Sequence, residues 1–481
     1  SADGRAAGTA TITVVDPRVA PNAVDDGPAA GSSPGQPFHA LYSVSGGRRT
    51  FTLPAPGVLA NDGLGDPAAV ITSFGGDSID GAVTSYAAGT TLSPLPGDGR
   101  TTGSLRVGAD GSIVFTPPDG FTGNFVFQYR LTNAVGTSDA QVTIAVGEPP
   151  EAVDDVYAPQ LVGNVAINTA TSTKFRVTDN DKGDALQVAV VSQTGGEVTI
   201  DPGNTFQFRP TPGHEGPAGF TYTVSNGFGT SEPATVSLTV GTPIWFVSAA
   251  AAEGGDGRFD APFNSLQALD AVNDGNGDNP ADGDLIFVYS GAYIGGLTLR
   301  PSQRLFGQLA TASFNVVTGV TWPADAGPMP MMTGAAPTIT TTDPGINGIN
   351  LGQDNTLRGF TIGNITGSAL YGSDFGTLSI AEFGIVGTGQ ALNLTNGTLS
   401  GNFSRVRSTG GANNVYLSNV STVGTTVLGT AIVDVLFGAT GDALVIEGGD
   451  GSFIYPGGLG EPKGMNSTSA ARPAVLLPLV A

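Results

Sequence analysis

At 481 residues the chain is long enough for about three domains with cores of their own, and its 73 Gly and 33 Pro point to turn-dense β structure. The 41 acidic against 19 basic residues, a net charge of −22, argue against nucleic acid and anionic membrane as partners and favour a surface that attracts divalent cations, calcium first. With no cysteine, disulfides, thiolate nucleophiles and Cys-based zinc or iron–sulfur sites are excluded, and no apolar run reaches membrane-spanning length.

The first predicted element is an alternating strand, Ala10-x-Ile12-x-Val14, followed by Asp16-Pro17. It reads either as the last strand of a preceding repeat, free to add to the sheet of a neighbouring copy, or as a frayed end; residues 1–17 are set apart on that ground. Next comes the turn Asn22-Ala23-Val24-Asp25-Asp26, which recurs as Glu151-Ala152-Val153-Asp154-Asp155. Between these turns an internal repeat holds its register: Phe115, Phe127, Tyr129, Asn133, Gly136, Thr137 and Ser138 return about 93 residues later as Phe208, Phe220, Tyr222, Asn226, Gly229, Thr230 and Ser231. Each unit closes on a period-2 strand, Ala140-x-Val142-x-Ile144-x-Val146 and Ala234-x-Val236-x-Leu238-x-Val240, the pattern of a half-buried strand in an antiparallel sandwich.

The Ala-Val-Asp-Asp turn, then Val58-Leu59-Ala60-Asn61-Asp62 with Gly65-Asp66, then Phe115-Thr116-Pro117 and Phe127-x-Tyr129, resembles the bacterial cadherin-like and Ig-like tandem repeats of large secreted surface proteins. The second copy matches through Val177-Thr178-Asp179-Asn180-Asp181 with Gly183-Asp184, Phe208-Arg209-Pro210 and Phe220-x-Tyr222. This resemblance covers about residues 18–241 and implies two β-sandwiches, 18–148 and 149–242. Modules of that kind serve as spacers, adhesins and lattice parts alike.

After Thr242-Pro243 the pattern changes. Ile244-Trp245-Phe246-Val247 reads as a strand, and Ser265–Val272 as a short capping helix. From Asp284 onward short apolar runs alternate with Gly, Asn, Asp and Ser/Thr turns. Gly345, Gly367, Gly389 and Gly411 fall about 22 residues apart, and the Thr-Leu pairs at 356–357, 377–378 and 398–399 about 21, each about one coil of a solenoid. Through Pro262-Phe263-x-x-Leu266, Asp284-x-Ile286-x-Val288, Gly291-x-Tyr293 and Leu297-x-Leu299 the segment 243–481 resembles the right-handed, pectate-lyase-like parallel β-helix. The expected fold is therefore all-β, two Ig/cadherin-like sandwiches followed by a β-helix. The apolar run 474–480 is expected to cap that helix or to touch a neighbour.

Calcium takes six to eight oxygens from carboxylates, amides and carbonyls, which turns can converge. The repeats offer Asp25, Asp26, Asn61, Asp62 and Asp66, and again Asp154, Asp155, Asn180, Asp181 and Asp184, as ligands at module junctions; the alternative is that these side chains cap turns through backbone hydrogen bonds. A third candidate, Asp274, Asn276, Asp278 and Asp282, has the 1, 3, 5, 9 spacing of a calcium loop, but Asn279 replaces the Gly and Leu285 the bidentate Glu, so it also reads as an acidic loop. Asn-x-Ser/Thr triplets starting at Asn364, Asn393, Asn396, Asn402, Asn419 and Asn466 are either glycosylation acceptors or the product of Asn turns followed by Thr-rich strands. Acids of the second half (Asp343, Asp354, Asp374, Glu382, Asp434, Asp442, Glu447, Asp450) do not repeat side by side, and both histidines, His39 and His214, lie in the first half, so no acid–base pair of an enzyme is evident.

Together with the two resemblances, these residues imply a secreted bacterial surface protein, an adhesin, filament subunit or surface-layer component whose partners are other copies of itself, or a glycan or cell-surface ligand. The rival expectations are a polysaccharide-active β-helix with accessory sandwiches, and a passive spacer of a giant adhesin.

Overall fold

In Gly123–Thr132 the side chains of Phe125, Phe127, Tyr129 and Leu131 are buried and those between them are half-buried, the period-2 pattern of a strand with one face on a core. The partner Thr137–Gly147 runs antiparallel, with Ala140 opposite Tyr129 and Val142 opposite Phe127. The computed structural model describes residues 18–27, 39–43, 47–48, 50–430, 434–459, 465–466 and 474–476; the terminal strand expected at 8–15 and residues 477–480 of the closing run lie outside them. The chain divides into two units, Ser1–Val153 with Asn180–Ala189 and Thr223–Pro233, and Asp154–Asp179 with Val190–Tyr222 and Ala234–Ala481.

In the first unit a six-stranded sheet faces a four-stranded one made of Phe51–Leu53, Ile113–Thr116, Ser104–Val107 and Thr91–Leu92. Phe74, Phe115, Phe125, Phe127, Tyr129, Val142 and Ile144 form its core, a tandem of aromatic rings between two sheets.

The second unit repeats the strand pair in the same register: Gly216–Tyr222 runs against Ala234–Val240, with Ala234 opposite Tyr222 and Val236 opposite Phe220. The strand Ala234–Val247 then continues past the expected boundary at 242 and pairs, now in parallel, with Leu285–Val288 through Ile244–Val247. Every described pairing between strands beyond it is parallel, the antiparallel contacts there being isolated bridges at Arg258–Ala261 and Ile167–Ala326. Three ladders result. One stacks Trp245, Ile286, Leu305, Leu357 and Ile380. The second stacks Tyr293, Ile339, Ile362, Ile385 and Val406. The third runs Leu297, Ile349, Leu370, Leu392, Val415 and Leu444. Their buried side chains form one continuous core from Trp245 to Tyr455. Of the closing run, Ala474–Leu476 pairs with Ser452–Ile454 as a further parallel strand.

The spacing is close to that read from the sequence, with two departures. Thr377-Leu378 stacks on Thr398-Leu399, but Thr356-Leu357 lies against Ser379-Ile380, because the corner at Asp374 and Gly376, both at positive φ, is longer than the one before Thr356. Arg304 and Thr356 are ladder neighbours, so the chain makes a long excursion between them. That excursion, with the helix Phe314–Thr318, packs Phe314, Val317 and Met332 over the outer column Phe246, Phe287 and Phe306, together with Val162 and Val165. Leu285–Val288 is an unbroken apolar run because both of its faces are buried, Ile286 and Val288 in the inner core, Leu285 and Phe287 in the outer one. The short helix forms at Leu266–Asp270, capped by Ser265, whose hydroxyl accepts from the Ala268 N–H at 3.1 Å.

Candidate functional site

The acids of the first repeat gather around one phenol. Tyr129 is fully buried, and its hydroxyl donates to the Asp62 carboxylate, 2.8 Å from Oδ2, with the Val24 carbonyl at 3.3 Å. Asp62 Oδ1 also accepts from the Val24 N–H at 2.7 Å, Asn61 Nδ2 donates to the carbonyls of Val24 and Asp25, and Asp25 Oδ1 accepts from the Gln141 N–H at 2.8 Å. Burial, and then the charges of Asp26 and Asp62, push the Tyr129 hydroxyl far above its ordinary value, so at neutral pH it keeps its proton and acts as donor. Burial also raises Asp62, outweighing its bonds from Val24 and Tyr129. Asp26 is buried, its backbone paired with Gln141 and Thr143, while Asp66 is exposed and its backbone bridges to Val19.

The same bonds recur in the second repeat. Val153 N–H donates to Asp181 Oδ1 at 2.7 Å and Asn180 Nδ2 to the Val153 carbonyl. Thr235 N–H donates to Asp154 Oδ1 at 2.7 Å, and the Tyr222 hydroxyl, fully buried, lies 2.9 Å from Asp155 Oδ2 and 2.7 Å from the Val177 carbonyl. Asp184 is exposed. In both repeats these carboxylates and amides thus fasten the Asp-Asp turn to the loop before the second strand and to the closing strand. The oxygens are spread along the turns, and among the described residues no three acidic or histidine side chains converge on one point.

In the loop at 274–282, Asp274 Oδ1 accepts from the Asn276 N–H at 3.0 Å and from Asn279 Nδ2 at 2.8 Å, which holds Asp274 below the usual carboxylate range, the Asn276 backbone bond first. Asp282 pairs with Arg300 at 2.8 Å. The Asp278 carbonyl lies so close to Gly213 that a Cβ there would stand 2.4 Å from it, so the loop packs against the second repeat.

A cluster that sequence reasoning missed lies in the long excursion. Asp325 is 1% exposed and takes five donors: the hydroxyls of Tyr157 (2.7 Å), Thr171 (3.1 Å) and Thr173, and the N–H groups of Ser172 and Thr173 (2.9 Å each). Burial pushes Asp325 up, but the bonds from Thr173, Tyr157 and Ser172 outweigh it and hold the carboxyl below its ordinary value. Around it Arg209 pairs with Asp260 at 2.7 Å, Arg258 Nη1 donates to the Pro210 carbonyl, and the buried Asn164 accepts from the Gly213 N–H through its side chain and from the Phe259 N–H through its carbonyl. The available signal was the break in coil spacing between Leu305 and Leu357, which marks an insertion.

Along the stack, Glu382 accepts from Arg358 at 2.7 Å and from Thr311, and the buried Asp434 accepts from Arg405 at 2.8 Å. Two triplet asparagines, Asn396 and Asn419, sit at exposed corners with positive φ and form a ladder: Asn419 Nδ2 donates to Asn396 Oδ1, and Asn396 Nδ2 to Asp374 Oδ1 at 3.0 Å. Asn tolerates this left-handed backbone better than most residues, which accounts for its recurrence there. No helix among the described residues is long and apolar enough to cross a membrane.

No curated protein matches the chain. Solved structures that it resembles include extracellular domains 3–5 of the Drosophila protein OTK, at 18% identity over 43% of this chain and 60% of that one with a TM-score of 0.24. An I-band fragment of titin gives 11% identity, 48% and 71% coverage and a TM-score of 0.24. An endo-fucoidan hydrolase of glycoside hydrolase family 107 gives 16%, 46% and 34%, and 0.23. The chain therefore spans 60% of the length of the OTK fragment. Residues 40–145 and 148–239 match the bacterial Ig domain family, and the chain carries two such domains in tandem.

Proposed function

We propose that the chain is a secreted bacterial surface protein that assembles with copies of itself into a filament or surface layer. The tandem Ig domains supply reach, and the segment from Pro243 onward is a right-handed parallel β-helix that presents a long, polar, protease-resistant face. The observation that carries this reading is the strand Ala234–Val247, which begins as the last strand of an Ig domain and ends as the first rung of the parallel stack, so that module and stack are mechanically continuous. Paired acids such as Glu382 with Arg358 and Asp434 with Arg405 serve structure in this reading, and the junction acids Asp62 and Asp181 accept backbone hydrogen bonds. Light scattering and negative-stain electron microscopy of the purified chain test it. Concentration-dependent polymers are expected; a strictly monomeric protein, or release of unsaturated oligosaccharides from uronic-acid polymers, overturns it.

A further inference from the structure

The two Ig repeats differ at one strand. In the first, Val70–Gly75 lies between Gly123–Thr132 and Tyr86–Ala87, with Phe74 opposite Tyr129 on one side and Tyr86 on the other. Phe74 is 0% exposed, its ring 5.8 Å from that of Tyr86. In the second repeat the corresponding strand is Gln187–Thr194. The Ser192 hydroxyl bonds that of Thr221 at 2.7 Å and the Thr194 hydroxyl reaches the Gly219 carbonyl at 3.5 Å. Both contacts fit one antiparallel register, and it puts Val191 beside Tyr222 as Phe74 lies beside Tyr129. Yet Val191 is 56% exposed, and the residues from Ala189 to Thr194 are exposed throughout. The cause is a missing piece of chain. The first repeat spends Gly76–Gly103 on segments that cover Phe74, whereas in the second only Gly195 stands between this strand and the next, Gly196–Ile200.

A strand of sequence Gln-Val-Ala-Val-Val-Ser-Gln-Thr with no cover is a template for another strand. We infer that it takes up residues 9–15 of a second copy, in the place that Tyr86–Ala87 holds in the first repeat. Thr9-Ala10-Thr11-Ile12-Thr13-Val14-Val15 has the needed two-sided pattern: Ala10, Ile12 and Val14 face the open ground at Val191, and Thr9, Thr11 and Thr13 face the Ser192 and Thr194 side. This segment matches the closing strands of both repeats in its alternation, and within one chain those strands are already supplied by Thr137–Gly147 and Ala234–Val247. The inference rests on the self-assembly reading above and names its acceptor.

The chain lacks cysteine, which makes the test clean. Ala10→Cys, Ile12→Cys and Val14→Cys chains, whose thiols lie on the same face as position 193, are each mixed with a Gln193→Cys chain and oxidised, while light scattering follows assembly of the same mixtures. At least one pair is expected to give a disulfide-linked heterodimer. Val191→Asp placed in the Gln193→Cys chain should lower that yield at least tenfold and leave its circular-dichroism melting curve unchanged, since Val191 is exposed. Deleting residues 1–17 should abolish assembly. Assembly without any cross-link, or with cross-links only between two Gln193→Cys chains, overturns this acceptor and leaves the assembly reading standing. Absence of both assembly and cross-links overturns the two together.

Discussion

Replacing Asp325 by Ala removes the acceptor of five donors at a stroke. Tyr157, 3% exposed, has no water to turn to, while Thr171, Ser172 and Thr173 are better exposed and recover part of their bonding from solvent. With an orphaned buried polar group costing about 1–3 kcal/mol, and the partly exposed donors losing less, the sum is about 3–5 kcal/mol. That is a large share of the roughly 5–15 kcal/mol by which a domain is stable. The assay is guanidinium unfolding followed by tryptophan fluorescence, because the only two tryptophans, Trp245 and Trp322, belong to the unit that holds Asp325. Trp322 packs edge-on against Phe259 and Phe314, so its emission reports the excursion directly. Tyr157→Phe alone deletes one donor and should cost about 1 kcal/mol, and the double variant should be less destabilised than the sum of the two. A shift below about 1 kcal/mol for Asp325→Ala would refute the claim that this carboxylate fastens the excursion to the second repeat.

The same residue predicts a pH dependence. Its folded value lies below the unfolded value of about 3.8, so its contribution is complete above that value and is lost as pH falls through the lower folded one. The deficit of Asp325→Ala, measured from denaturation midpoints between pH 7 and 3, should therefore shrink on acidification. Tyr129→Phe removes the donor to the half-buried Asp62 and should cost about 1–2 kcal/mol by circular dichroism, with Asp62 left short of a partner. Chelation of divalent cations should leave the melting temperature within about 1 °C if hydrogen bonds alone hold the Asp-Asp turns, since a tight calcium site would add RT ln(1 + [L]/Kd) to stability and lose it on chelation; a fall of several degrees would support calcium at these turns.

Much of this was legible because it depends on local period. Phe127, Tyr129, Phe220 and Tyr222 repeat at fixed spacing, and each pair sits in the same register against its closing strand. The stack was legible for the same reason, since residues such as Leu370, Leu392 and Val415 recur at close to constant spacing and are neighbours in one parallel ladder. What was illegible is what period cannot encode. Asp25, Asp62, Asp154 and Asp181 were visible as recurrent acids, but whether such oxygens meet an ion or a backbone N–H is decided by chain segments more than twenty residues away. Asp325 belongs to no repeat, and its donors at Tyr157 and Thr171–Thr173 lie far off in sequence. Val190 and Val191 show a second limit: nothing in their own sequence marks them as exposed, and only the comparison with Phe74 reveals the missing cover.

The boundary at 242 is the place where sequence and energetics part. A change of pattern there suggests that the chain could be divided into a sandwich and a separate stack. The strand Ala234–Val247 spans it without a break, and the outer column Phe246, Phe287 and Phe306 shares one buried cluster with Val162 and Val165 of the second repeat. Cutting the chain at 242 would leave the apolar outer column partly bare and Asp325 without its donors. A chain beginning at residue 149 should therefore unfold in a single fluorescence-detected transition. A chain beginning at 243 should aggregate or melt at least 10 °C lower, because exposed apolar surface of that kind is not tolerated in water and each kcal/mol lost moves the midpoint by about 2–4 °C for domains of this size. Equal melting of the two chains would mean that the parallel stack is an independent domain and that the second Ig repeat is merely attached to it.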